Sequence, residues 1–397
     1  GKGLEQHEIL KVQLMRGEKE QDYLTHIWNL TSMMDHPIIA KEEDQDEACY
    51  RQFYEEAISL CRQKRFHEVL EKCRYTSLDD EEEYSIDVIQ PEKIEFKQNS
   101  YEDGENSIIS FPEFLLLVLD VCTGGEQPAS HYQPDKLIEK FDALKTYFTA
   151  GEFYEKMLYY RLLLDYYTIR RDIKDGQGNY SLILKGPKDD SDKLKQYQSM
   201  LYVSTEAFYN WLKPYLRKLE QDELHSCAEM LAFLKKEDNE RHSILPARKD
   251  LSYKASGNIR YWFWRLDYYL WEQRSTFFNE EEQKIVEHYV FRRNRSIEHL
   301  HPQDESHNEE WEEEAVHSFG NLAMISQSFN SQQSNDHIQI KFARIHEQIS
   351  NKSLQSIKMF LMCKLADFNY LNWTMKLTKE HENEMIEFLE RSFYISD

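Results

Sequence analysis

Apolar residues recur at three- and four-residue spacing through most of the first 240 positions, with charged residues filling the gaps. "ACYRQFYEEAISLCRQKRFHEVLEKC" (Ala48 to Cys73), "LIEKFDALKTYFTAGEFYEKMLYYRLLLDYY" and "STEAFYNWLKPYLRKLEQDELHSCAEMLAFLKK" all carry this pattern, which predicts amphipathic helices. Two stretches break it. "SLDDEEEYSIDVIQPEKIEFKQNSYEDGENS" (Ser77 to Ser107) is acidic and turn-rich, and reads as a solvated loop with one short strand at most. "YTIRRDIKDGQGNYSLILKG" (Tyr167 to Gly186) alternates around Asp-Gly-Gln-Gly, as a β-hairpin would. "FPEFLLLVLDVC" from Phe111 is apolar throughout but far short of the ~20 residues that cross a bilayer, so it predicts a buried helix.

A charged and Pro-containing break, "KKEDNERHSILPARKDLSYKASGN" (Lys235 to Asn258), marks an expected domain boundary. Beyond it "IRYWFWRLDYYLWEQR" is apolar nearly all round. Its aromatics interleave with Arg260, Arg265 and Arg274 in a way that could serve base stacking, but apolar cover on more than one face favours a buried helix. "SIEHLHP" then alternates for a few positions and stops at Pro302, which suits a short strand running into a loop. In "FGNLAMISQSFNSQQSN", Gly320 marks a turn, Asn321 opens a short apolar run and Asn330 follows downstream. The chain closes with a further helical stretch, "SLQSIKMFLMCKLADFNYLNWTMKL".

Composition sharpens this picture. In 397 residues there are 12 Gly and 9 Pro, a scarcity that disfavours turn-dense β folds and favours long helices. Aromatics at 13% and apolar residues at 40% exclude a disordered acidic chain. The six cysteines form no C-x-x-C pair or finger spacing, and are expected as free thiols in a reducing compartment. With no signal peptide and no membrane-length apolar run, the cytoplasm is the expected location.

A formal net charge of −23 opposes non-specific adhesion to nucleic acid. Against that background Arg292, Arg293 and Arg295 gather directly in front of Glu298 and His299, where they could draw a phosphate toward an otherwise repulsive surface. Lys341 and Arg344 could do the same from the helix expected downstream. The alternative for the arginines is ordinary pairing with nearby glutamates. His301, His307, His317 and His337 crowd the same region, but their spacings fit no standard zinc pattern.

Glu298-His299-x-x-Pro302, Gly320-Asn321-Leu322 and Asn330, in that order, resemble the ββα-metal or HNH nuclease motif. More narrowly they are similar to the C-terminal nuclease domain of GmrSD-type, modification-dependent restriction enzymes. The opening "GKGLEQHEILK" is similar to the close of the ParB-like nucleotide-binding domain of those proteins. The resemblance implies a mainly α chain: residues 1–20 as the remnant of a preceding nucleotide-binding domain, residues 21–240 as a helical middle region, and residues 241–397 as a helical nuclease domain with an embedded HNH-like hairpin-helix unit. Any bound nucleotide would belong to the preceding domain.

The same resemblance implies double-stranded DNA as substrate, phosphodiester hydrolysis in prokaryotic anti-phage defence, and Mg²⁺ or Mn²⁺ as cofactor. Glu298 and Asn330 would be the cation's oxygen ligands, His299 the general base, and Asn321 the residue that holds the imidazole. These residue types suit the chemistry, since hydrolysis needs a proton acceptor near pH 7 and a hard cation takes oxygen donors. Adjacent strand residues face opposite sides, so Glu298 could join His299 only if the strand twists or bends. Assembly is open between a homo-oligomer and a contact with the preceding domain. The competing expectation is a non-enzymatic helical scaffold carrying a vestigial HNH-like unit.

Overall fold

The structure, a computed structural model, describes residues 5–73, 104–174, 180–204, 206–293, 295–303, 311–326 and 338–395. It is mainly helical, 63% helix against 6% strand, with two small antiparallel sheets among the described residues. The chain divides into two compact units, one of residues 1–191 and 208–227, the other of residues 192–207 and 228–397.

The first unit contains helices α1 (Gln6–Met15), α2 (Gln21–Ser32), α3 (Glu47–Arg62), α4 (Phe66–Lys72), α5 (Phe111–Cys122), α6 (Leu137–Leu144) and α7 (Ala150–Tyr167). Helix α5 is the apolar segment anticipated from sequence: Ser110 and Glu113 form its capping box, and Phe114 through Leu119 are fully buried. The expected hairpin forms as β2 (Arg170–Ile173) against β3 (Tyr180–Ile183), and β1 (Gly104–Ser107) adds a third strand along β2. Its Asp-Gly-Gln-Gly turn lies outside the described residues. Helix α8 (Ser191–Val203) lies almost wholly within the second unit, whereas α9 (Phe208–Glu220) returns to the first.

After α8, the second unit takes in α10 (Cys227–Arg241) from Ala228 onward, and that helix runs unbroken through Lys235–Arg241. At its centre stands α11 (Arg260–Glu272), on which every residue from Tyr261 to Trp271 is buried. The near-continuous apolar pattern of this segment therefore serves packing on all sides, not base stacking. Among its polar members, Arg265 donates to Ser392 Oγ at 2.9 Å and sits over the Phe393 ring at 4.2 Å. Around it lie α12 (Arg274–Phe277), α13 (Glu280–Val286), β4 (Arg295–His299), α14 (Glu313–Val316), β5 (Leu322–Ser326), α15 (Ile338–Ser350), α16 (Ile357–Leu365) and α17 (Met375–Arg391).

Strands β4 and β5 make the expected two-stranded antiparallel unit, with Glu298 opposite Ala323 and His299 opposite Leu322. Strand β5 packs against both α11 and α16, and Leu322 through Ile325 are all buried. Ala323 and Ile325 join Leu300, Trp311, Phe342, Ile345 and Met362 in one apolar cluster. At about 1.5–3 kcal/mol for each large side chain removed from water, this cluster holds the hairpin against the helices.

Candidate active site

Strand β4 ends where local chemistry requires. Leu300 still pairs through its N–H with the Asn321 carbonyl at 2.9 Å, but Pro302 has no N–H to continue the ladder. Across the hairpin, a 3-10 turn over Phe319–Asn321 leads into β5. Gly320 is required there by a close approach: a Cβ at this position would lie 2.4 Å from the Thr378 carbonyl oxygen and 2.8 Å from Glu382 Cβ.

Asn321 is fully buried and acts as a clamp. Its Oδ1 accepts from the His301 backbone N–H at 2.8 Å and from Trp373 Nε1 at 3.1 Å. Its Nδ2 donates to the carbonyls of His301 at 3.0 Å and Val316 at 2.8 Å. The side chain thus fixes the loop that follows β4, and not the His299 imidazole expected from sequence. The geometric reason is that Asn321 pairs with the backbone two residues past His299, where the strand has already turned away.

The imidazole has other partners. His299 Nε2 lies 3.0 Å from Nδ1 of His317, and the Gln303 amide nitrogen lies 2.9 Å from His299 Nδ1. Tyr253 stands edge-on to the His299 ring, with centroids 4.5 Å apart, and nearly parallel to that of His317. With only 3% of its surface exposed, His299 does not face an open cleft in this conformation. Burial, reinforced by the neighbouring His317 and Lys341, pushes its pKa down to about 3. His317 is lowered as well, by burial and by Lys254. Both imidazoles are therefore neutral at physiological pH. His301, stacked on Trp311 with ring centroids 3.9 Å apart, is likewise pushed down to about 4 by burial and Lys341.

Glu298 engages a different neighbour. Its Oε1 accepts from Lys341 Nζ at 2.5 Å, and the same ammonium donates to the His299 carbonyl at 2.7 Å. Burial raises the Glu298 pKa, with the Lys341 charge and hydrogen bond working in the opposite direction. Ile325, Ile345, Gln348, Ser356 and Met359 complete the surroundings of this pair. Strand alternation has thus separated the two candidate groups, with the acid facing α15 and the imidazole facing His317 and Tyr253.

The cations expected to greet a phosphate are placed unequally. Lys341 is 3% exposed and committed to Glu298, and Arg295 is buried at 5%. Neither lies open to solvent, because the strand and helix faces that carry them point into the unit. Arg292 and Arg293 are exposed, and the Arg293 guanidinium lies over the Tyr202 ring at 4.0 Å while its Nε donates to the Tyr202 carbonyl. Arg344 is half-buried on α15.

Asn330, the other expected cation ligand, lies outside the described residues, as do His307 and His337. Among the described residues no group of three or more His, Cys, Asp or Glu side chains is arranged to hold a metal ion. With one Glu298 oxygen taken by Lys341, the described side chains do not by themselves compose a cation site.

Sequence reasoning passed over several residues that hold this arrangement. His317 enters the sequence only as one of four histidines whose spacings fit no zinc pattern. Lys358 carries no motif, yet it is buried beneath the hairpin and donates to the Leu322 carbonyl at 2.7 Å. Its pKa is pushed down to about 7 by burial, with Asp267 and Glu382 acting the other way. Trp373 and Tyr253 are distant aromatics with no spacing signal.

Among the described residues no helix is long and apolar enough to cross a membrane. No curated protein and no solved structure matches the chain. Residues 236–388, which contain the whole of this hairpin and the helices that back it, match the family described as GmrSD restriction endonucleases, C-terminal domain. Over those residues the chain is similar to the GmrSD restriction endonuclease family.

Proposed function

We propose that the second unit is an HNH-type endonuclease domain that hydrolyses phosphodiester bonds of double-stranded DNA, with modified phage DNA as its target in a prokaryotic defence system. The observation that carries this reading is the hairpin itself. It sets a neutral imidazole, His299, at the end of a strand, with the following loop clamped by Asn321, inside the region that matches a restriction endonuclease domain.

His299 is the proposed general base. A neutral imidazole is the protonation state the role demands, and an approaching phosphate would favour its protonated form and counter the depressed basicity of the closed site. Gln303, exposed on the loop, covers Nδ1 and must give way to water or substrate. Arg292 and Arg293 are the exposed cations best placed in sequence to meet the DNA backbone. A divalent cation, Mg²⁺ or Mn²⁺, belongs to this reading as the group that would offset phosphate charge, with Asn330 as a proposed ligand and Glu298 as a second only once it leaves Lys341 and turns to the imidazole's side of the strand. The cytoplasm is the proposed compartment.

The test is nicking of supercoiled plasmid, modified and unmodified, with Mg²⁺, Mn²⁺ or EDTA. Replacing the base, His299→Ala, should lower cleavage by about 10²–10⁴-fold. Since His299 is packed between Tyr253 and His317, the variant must be shown folded by its melting curve. A folded variant that cuts at the wild-type rate overturns the assignment of the base, and a wild-type chain that cuts under none of these conditions overturns the endonuclease reading.

A further inference from the structure

His317, at the end of an acidic stretch of sequence, is held from several sides. It caps the C-terminus of the one-turn helix α14, with its N–H directed to the Glu313 carbonyl. Its own carbonyl accepts two hydrogen bonds, from the Tyr253 N–H at 2.9 Å and the Ser252 hydroxyl at 3.0 Å. Tyr253 lies nearly parallel to its ring, with centroids 5.8 Å and planes 16° apart. What this framework aims is Nδ1, which faces Nε2 of His299 at 3.0 Å with the rings inclined by 78°.

The direction of that hydrogen bond follows from the far side of His299. The Gln303 amide nitrogen can only donate, so His299 Nδ1 must present its lone pair to it. A neutral imidazole carries one proton, which therefore sits on Nε2 and is donated to Nδ1 of His317. His317 in turn keeps its own proton on Nε2.

We propose that His317 is a positioning residue for the reaction assigned above: it holds His299 in the tautomer that leaves Nδ1 free to take a proton. This inference rests on the endonuclease reading and adds to it which nitrogen works and what selects it. In the step, a water O–H bond breaks and its proton joins Nδ1. The oxygen's electron pair goes to phosphorus, and the leaving oxygen departs with the electrons of the broken P–O bond and takes a proton from solvent. His299 is then an imidazolium, and its bond to His317 becomes charge-assisted, hence stronger at the moment of reaction. A neutral imidazole does this without placing a negative charge beside an incoming phosphate, as an aspartate in the same position would. His317 does not touch the reacting atoms.

The experiment uses the full chain and plasmid substrate. His317→Ala should lower kcat by about 10–100-fold, the usual scale for losing a partner that orients a functional imidazole, with KM altered less than about 2-fold. His317→Asn, whose side-chain oxygen can accept from Nε2–H, should recover most of that loss, whereas a merely structural role would give equal losses for both variants. Nitrogen-15 NMR of the histidines, with the His299 signal identified by its absence in His299→Ala, reads the tautomer directly. The Nε2–H form is expected in the wild type and a mixture in His317→Ala. Wild-type cleavage by His317→Ala, failure of His317→Asn to rescue, or an Nδ1–H tautomer in the wild type each overturns the inference while leaving the endonuclease reading intact. Absence of any cleavage by the wild-type chain overturns that reading, and the positioning role with it.

Discussion

Replacing Lys341 by Met tests the separation of Glu298 from the imidazole. The Lys341 and Glu298 side chains are 3% and 9% exposed, and the ammonium also serves the His299 carbonyl, so its removal strands a charged carboxylate in a buried site. Breaking a buried pair by deleting one partner costs about 3–5 kcal/mol. In a unit of this size each kcal/mol moves the melting temperature by about 2–4 °C, so the transition should fall by roughly 6–20 °C.

The pH dependence has a definite sign. Burial already raises the Glu298 pKa, and loss of the Lys341 charge raises it further. A carboxyl with a raised folded-state pKa stabilises below its unfolded value of about 4.3 and loses that contribution as pH climbs through the folded value. The variant should therefore be more destabilised at pH 8 than at pH 5. The double variant Glu298→Gln/Lys341→Met removes both charges and should recover most of the loss, since replacing a whole buried pair is often close to neutral. Calorimetry of the four chains at both pH values closes the cycle. A single variant that melts within about 2 °C of wild type, an equal penalty at both pH values, or a double variant less stable than the single one would refute the reasoning.

Two further outcomes are expected. Asn321→Ala strips partners from two donors and two acceptors around the His301 loop, at about 1–3 kcal/mol for each group left unsatisfied. It should therefore cost several kcal/mol in urea unfolding as well as lowering cleavage, and a loss below ~1 kcal/mol would show that the clamp is not needed. Asp267, whose pKa burial pushes up to about 7, binds its proton more tightly folded than unfolded. Its contribution is full below about pH 4 and lost as pH rises through 7. Asp267→Asn should flatten that part of the stability profile, and curves that stay parallel to wild type would contradict it.

The parts legible in the sequence were those encoded by neighbours along the chain. Pro302 and Gly320 bound the two short alternating or apolar runs that form β4 and β5, whereas their pairing was expected only from the family resemblance. The all-round apolar face of α11 likewise announced its burial. The residues that organise the imidazole and the loop after it are joined across 18 positions for His317 and 52 for the Asn321–Trp373 contact, while Lys358 reaches the hairpin across 36. None of these separations leaves a periodic trace. Lys341 shows the converse problem: a positive charge near a candidate nuclease motif reads as a phosphate contact, and only the packing of α15 on β4 turns it inward. Asn330, equally legible as a ligand, lies outside the described residues.

The clamp on Asn321 also orders events during synthesis. His299 and Asn321 leave the ribosome well before Trp373, which completes the clamp, and before Thr378 and Glu382, which back the Gly320 turn. Until those residues emerge and α17 packs, the turn lacks its rear wall and the loop after β4 lacks a fixed end. Nascent chains and products of premature termination upstream of Trp373 would carry every motif residue yet hold no formed site. On the proposed endonuclease reading, that delay would confine cleavage to chains folded through α17.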